Sequence, residues 1–189
     1  MIPYAVDRRP DTGVTNGTLG IWLFLASEAM LFGALFSAYA LLRTSAPNWP
    51  AGRSVLSLTF GMSHTVVLLL LTAAVWRARS AATPATVRRW LGIAFALAVL
   101  FLAAKGFEYR DEVRLGLLPR VNTFLATYFV LTGLHALHVI AGAGANVWAM
   151  AGAVRMGQPG TRERVRALSL YWVFVDGVWL VIFGLMYLT

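Results

Sequence analysis

Five stretches of this chain are too long and too apolar to belong to a water-soluble domain: Leu19 to Leu42, Val55 to Trp76, Trp90 to Tyr109, Val121 to Val154 and Ala167 to Thr189. A helix needs about 20 apolar residues to cross the roughly 30 Å hydrocarbon layer of a bilayer, so each stretch can span it. They take up most of the 189 residues, of which 59% are hydrophobic and 13% charged, far more apolar surface than a soluble fold of this size buries. The chain is therefore expected to be an all-α integral membrane protein with five transmembrane helices. Helix breakers fall between the stretches, in "TSAPNWPAGR", "SAATPAT", "RLGLLPR" and "MGQPGTRER". Residues 1–18 read as a polar N-terminal segment and 19–189 as one transmembrane domain. The polar segment lacks the apolar core of a secretory signal, so Leu19 to Leu42 is expected to be a retained span.

The net charge of +8 would suit a nucleic-acid partner, but none is expected, because in the loops of a membrane protein basic residues report topology. One side collects Arg8, Arg9, Arg77, Arg79, Arg88, Arg89, Arg155, Arg162, Arg164 and Arg166; the other has Arg43, Arg53, Lys105, Arg110, Arg114 and Arg120. Positive-inside bias places the N-terminus in the cytoplasm and the C-terminus outside. With no cysteine in the chain, there is no disulfide, thiolate metal site or thiol chemistry.

Charges within the spans come at a cost of about 2.5–3.5 kcal/mol on insertion scales, so each demands a partner or a purpose. Glu28, in "FLASEAMLF", lies near the middle of span one, and Asp176, in "FVDGVWL", near the middle of span five. Each reads either as structural glue, bonded to a neighbouring helix, or as a proton or lipid site. Glu108, beside Lys105 at the end of span three, is expected to snorkel to the interface or to pair.

His135 and His138 lie three apart in "TGLHALHVIAG" and share one face of span four. Three histidines in all, with His64, are too few for a diiron cluster, and "HALH" lacks the Glu of a zinc-protease helix. Two histidines on one helix face cannot ligate opposite sides of one haem, but His64 could pair with either, which leaves a small b-type haem electron carrier as one reading. Packed or hydrogen-bonded histidines are the default. "GAGAN" at 142–146 lies mid-span with no strand before it, so Gly133, Gly142, Gly144 and Gly152 read as small residues for close helix packing, not as a dinucleotide loop. Span four is long enough that it should tilt or project beyond the membrane. A transporter coupled through Glu28 and Asp176 is disfavoured, because the five spans show neither inverted repeats nor broken helices.

Several segments, taken together, resemble subunit III of the haem-copper terminal oxidases in its short five-helix bacterial form. "GIWLFLASEAMLFGALFSAYALLR" resembles the family's first core helix, "KGFEYRDEV" its Glu-Tyr helix end, "TGLHALHVIAG" its Thr-Gly-x-His-Gly-Leu-His-Val signature, and "LYWVFVDGVWLVIFGLMYL" its terminal Trp-His-Phe-Val-Asp-x-Val-Trp. The chain departs from the pattern at Val173, where the family has His, and at Ala136, where it has Gly. The resemblance implies a two-helix pair, spans one and two, set apart from a three-helix bundle, with the linker "RARSAATPATVRR" between them. It implies a bacterial inner-membrane accessory subunit with no haem, copper or catalytic centre of its own, the haem and copper lying in partner subunits. It further implies contact with oxidase subunits I and II, docking through spans one and two, bound phospholipid in a cleft, and support of proton delivery and durability in turnover. Glu28, Glu108 and Asp176 are then the proton- or lipid-linked carboxylates, and His135 and His138 are helix-packing residues. An accessory subunit of a nitric oxide reductase with the same fold is the near alternative.

Overall fold

The computed structural model describes residues 9–153 and 161–189. Residues 1–8 with Arg8, and 154–160 with Val154 and Arg155, lie outside the described residues. Among the described residues there is no strand, and five helices are long and apolar enough to span a membrane. These are α1 (Asn16–Ser45), α3 (Leu58–Arg79), α4 (Pro84–Arg114), α5 (Thr123–Ala153) and α6 (Thr161–Tyr187), with a single turn, α2 (Gly52–Val55), between α1 and α3. Each corresponds to one expected span, although α3 and α5 begin three and two residues later than expected and α6 ends two residues earlier. At 31 residues α5 is about 46 Å long at 1.5 Å per residue, longer than the hydrocarbon layer, as its uncharged run implied.

Side chains start the helices where the sequence turns polar. Thr15 accepts from the Thr18 N–H at the head of α1, Thr83 accepts from the Thr86 N–H ahead of Pro84 in α4, and Asn122 accepts from the Leu125 N–H ahead of α5. Just before α1, the exposed Asp11 carboxyl is held down at about 2 by the hydrogen-bonded Arg9 guanidinium. Thr15 also donates to Glu163 at 3.2 Å, tying the head of α1 to the head of α6.

The expected grouping into a pair and a three-helix bundle is corrected. Helices α3, α4, α5 and α6 close a four-membered ring, each packed on the next and α6 back on α3. Only α1 stands outside, against α6 and, over a shorter stretch, α5. The reason lies in the buried faces. Helix α3 buries Gly61, His64, Leu68, Leu71, Ala74, Val75 and Ala78, a continuous stripe with small residues at its ends, and so it belongs inside a bundle. Helix α1 buries only Leu25, Phe32 and Tyr39, seven residues apart, a single line of contact. The linker expected to separate two bodies is a Thr83-capped turn between two closely packed helices.

The closest approach is at Gly52, where a Cβ would run into the backbone carbonyl of Met186, and two glycines within the spans admit aromatic rings. A Cβ on Gly142 would lie 2.6 Å from the Trp172 ring, and one on Gly61 would lie 2.7 Å from Tyr187. Gly144, by contrast, faces open space, so only part of the glycine set in α5 serves packing.

Candidate functional site

Helix α1 meets the bundle through an acid and a base. Glu28 Oε2 lies 2.9 Å from His138 Nε2. His138 Nδ1 lies 2.8 Å from the Leu134 carbonyl oxygen, which can only accept, so Nδ1 carries a hydrogen. The contact between Nε2 and Oε2 therefore holds one further proton, either on the ring, as imidazolium facing carboxylate, or on the carboxyl, which then donates to the neutral ring. The pair is neutral overall in both forms, which is how a glutamate is accommodated at this depth. Its side chains are 16% and 12% exposed, at the edge of the bundle rather than within it. Phe32 packs edge-on against the imidazole, and the Tyr171 hydroxyl donates to the His138 carbonyl at 2.7 Å.

His135, three residues away, faces the bundle interior. It is fully buried, and its Nε2 donates to the Val175 carbonyl at 3.2 Å. His64 of α3 is also fully buried, with neither ring nitrogen hydrogen-bonded. The rings of Phe101 and Trp179 contact both imidazoles at centroid distances between 5.1 and 5.7 Å. The two histidines thus share an aromatic core built from all four bundle helices. Among the described residues, no group of three or more metal-ligating side chains is assembled.

Next to this core lies a polar cluster that the sequence reading did not assemble. Lys105 Nζ, 2% exposed as a residue, donates to Glu108 Oε2 at 2.7 Å, Tyr128 Oη at 2.8 Å and Tyr187 Oη at 3.0 Å. Tyr187 donates to Glu108 Oε1 at 2.8 Å, and Tyr128 donates to Glu112 Oε1 at 2.7 Å. The lysine also faces the rings of Tyr109, Tyr128, Trp179 and Tyr187 within 6 Å, a cation–π arrangement that replaces part of its lost hydration. Glu108 is therefore paired, as one of its two readings held, but it does not snorkel; it is 2% exposed inside the bundle. Lys105 correspondingly does not count among the loop charges on its side of the membrane.

Asp176 stands alone by comparison. It is 6% exposed on α6 facing α3, and neither carboxyl oxygen has a hydrogen-bond partner. The Thr72 hydroxyl of α3 lies within electrostatic reach but short of hydrogen-bond geometry. The three carboxylates singled out in the sequence thus occupy three separate places. The signal for the missed members was present in α4, whose buried positions 87, 91, 94, 98, 101, 105, 108 and 112 run at helical spacing from apolar side chains into Lys105, Glu108 and Glu112.

Val173 is 45% exposed on the outer side of α6, so the departure from the family's His falls outside the bundle core. An apolar groove of about 270 Å³ runs between α1, α5 and α6; Ile21, Phe24, Ala145 and Tyr171 line it, with Arg164 at one end and its guanidinium 4.4 Å over the Trp148 ring.

The sequence profile of the family described as cytochrome c oxidase subunit III matches residues 9–189. Among similar proteins, the cytochrome bo(3) ubiquinol oxidase subunit 3 of Pseudomonas aeruginosa is 32% identical over 96% of this chain and 88% of its own length. The cytochrome c oxidase subunit 3 of Synechocystis sp. is 35% identical over 89% of this chain and 74% of its own length. The heme-copper oxidase subunit I+III of Aeropyrum pernix is 33% identical over 89% of this chain and 22% of its own length.

Proposed function

The chain belongs to the cytochrome c oxidase subunit III family, and on that premise we propose that it is the non-redox member of its complex. It is an accessory subunit of a respiratory haem-copper oxidase, a multi-pass membrane protein whose partners are other oxidase subunits. In this reading the haem and copper reside in subunits I and II, oxygen reduction and proton translocation belong to the complex, and this chain has no catalytic centre. The single observation that carries the reading is the profile match over nearly the whole chain. Two features of the fold support it. Both ring nitrogens of His138 are engaged by protein atoms. The space around His64 and His135 is taken up by Phe101 and Trp179.

The chain sits in the bacterial inner membrane with its N-terminus in the cytoplasm, supported by the excess of basic residues on that side, which grows when the buried Lys105 is removed from the opposite count. A phospholipid fits the groove between α1, α5 and α6, its acyl chain along the apolar wall and its phosphate at Arg164. Glu28 with His138 is the proton-linked pair, because one proton is shared at a contact that borders the lipid. Asp176 is a further candidate, since its buried oxygens are unengaged.

The docking face on subunit I is formed by α1 and α3, with the outward strip of α6 between them. Open glycines support this assignment: a Cβ at Gly33 or Gly177 would meet nothing of this chain. The subunit I+III naming of the Aeropyrum relative is in keeping with a direct contact between the two. Crosslinking tests the assignment, since the chain has no native cysteine. Single cysteines at Met30 of α1 and Val66 of α3, both exposed, should crosslink to the large catalytic subunit in the native membrane, whereas cysteines at Leu137 and Ile140 of α5 should not. The reverse pattern overturns the docking face, and recovery of no oxidase subunit from any position overturns the accessory role.

A further inference from the structure

The hydrogen bonds of the Lys105 cluster can be accounted for one by one. All three N–H groups of Lys105 are engaged, by Glu108, Tyr128 and Tyr187. Each tyrosine accepts from the lysine and gives its own hydrogen to a different carboxylate, Tyr187 to Glu108 and Tyr128 to Glu112. Glu108 is thereby satisfied at both oxygens. Glu112 is not. It is 6% exposed, and its Oε2 is buried without a partner. At the other end of the network stands His64, fully buried, with neither nitrogen bonded and Nδ1 3.7 Å from Glu108 Oε2. Groups with unfilled bonding capacity thus bracket the network, one in the bundle core and one near the end of α4.

The charges are also out of balance. Lys105 supplies one positive charge, and two ionised glutamates would supply two negative ones. In a low-dielectric interior such an excess charge is removed by pairing or by protonation. Glu108 accepts a donor at each of its oxygens, from Lys105 and from Tyr187, so neither is open to a further hydrogen. Glu112 has one donor and one open oxygen, so it is the member that can take a hydrogen without displacing an existing bond. Its place in the chain gives access. It lies two residues before the end of α4, where the connection to α5 begins, so a proton from water reaches it without crossing the hydrocarbon.

We propose that the Lys105 cluster is a proton-binding site, in which Glu112 takes up one proton from the membrane face that carries the α4–α5 connection. The step is a simple protonation: a hydronium ion gives its proton to Glu112 Oε2, forming a carboxylic acid and leaving water. The cluster passes from a net charge of −1 to zero, with nothing oxidised or reduced. The titratable groups that face the site are His64 from α3, Lys105, Glu108 and Tyr109 from α4, Tyr128 from α5 and Tyr187 from α6. The Glu28–His138 pair, by contrast, lies at the α1–α5 contact and shares none of these residues.

Infrared difference spectra of the purified complex, recorded between acid and alkaline pH, test the site. The wild-type complex should show carboxylic-acid C=O intensity at acid pH, and subtraction of the Glu112→Gln spectrum should leave a band equivalent to one group per chain. Tyr128→Phe removes the donor to Oε1 but keeps the acid, so the band should persist at higher frequency, because the C=O bond strengthens when it loses a hydrogen bond. A spectrum unchanged by Glu112→Gln overturns the proposal. If that variant fails to assemble, a Tyr128→Phe band that stays at the wild-type frequency overturns it equally.

Discussion

Glu28 and Glu108 are both glutamates set in apolar helices, and both face a nitrogen base, yet they are built into the molecule differently. Glu28 has one side-chain partner, His138, at the contact of a peripheral helix with the bundle, and the pair is partly exposed. Glu108 belongs to a network of five side chains from three helices, 2% exposed, in which every removal leaves another charge or hydroxyl unpaired. A neutral pair at an edge can change its protonation with little effect on its surroundings, whereas a charged network in a core is part of what holds the helices in register. The comparison therefore assigns the cluster chiefly to the fold and the rim pair chiefly to the working complex.

Lys105→Met gives the sharpest break. It strands two carboxylates in the bundle and should destabilise the chain by about 3–5 kcal/mol, read as a large fall in assembled complex and in the midpoint of thermal unfolding in detergent. Gly142→Leu comes next. Its side chain would meet the Trp172 ring, already 2.6 Å from a bare Cβ, and should force α5 from α6 at about 1–3 kcal/mol, seen in the same midpoint. Glu28→Gln should change the midpoint by no more than about 1 kcal/mol, because the amide can still donate to His138 Nε2. If it fell as far as Lys105→Met, the two regions would not differ in kind. Val173→His lies on an exposed strip of α6 and should stay within about 0.5 kcal/mol of wild type. A larger loss there would show that the strip is packed against something in the complex.

The five helices were legible because length and apolarity alone decide whether a segment can cross a bilayer, and the breakers at 44–53, 80–86 and 114–120 fall at or between helix ends. How the helices group was not. The expected pair came from resemblance, while the deciding information, three buried residues on α1 against seven on α3, depends on which faces meet across the chain. The same holds for the sites. Glu28 and His138 were each conspicuous, but they are 110 residues apart, and only the fold brings them together. Lys105 was counted with the loop charges and Glu112 was not singled out, because charges at the end of a span ordinarily reach for water. The buried spacing of α4, continuing unbroken from Val87 to Glu112, was the one local sign that these do not.

The division between the two regions is tested most directly by oxygen consumption of the complex carrying Glu28→Gln, followed through extended turnover at several pH values and at matched subunit content. If Glu28 and His138 serve the working complex through their shared proton, the variant assembles in normal yield and its rate decays faster than wild type, with an altered pH profile. Normal yield together with a wild-type decay at every pH would contradict this and leave the pair as helix-packing glue.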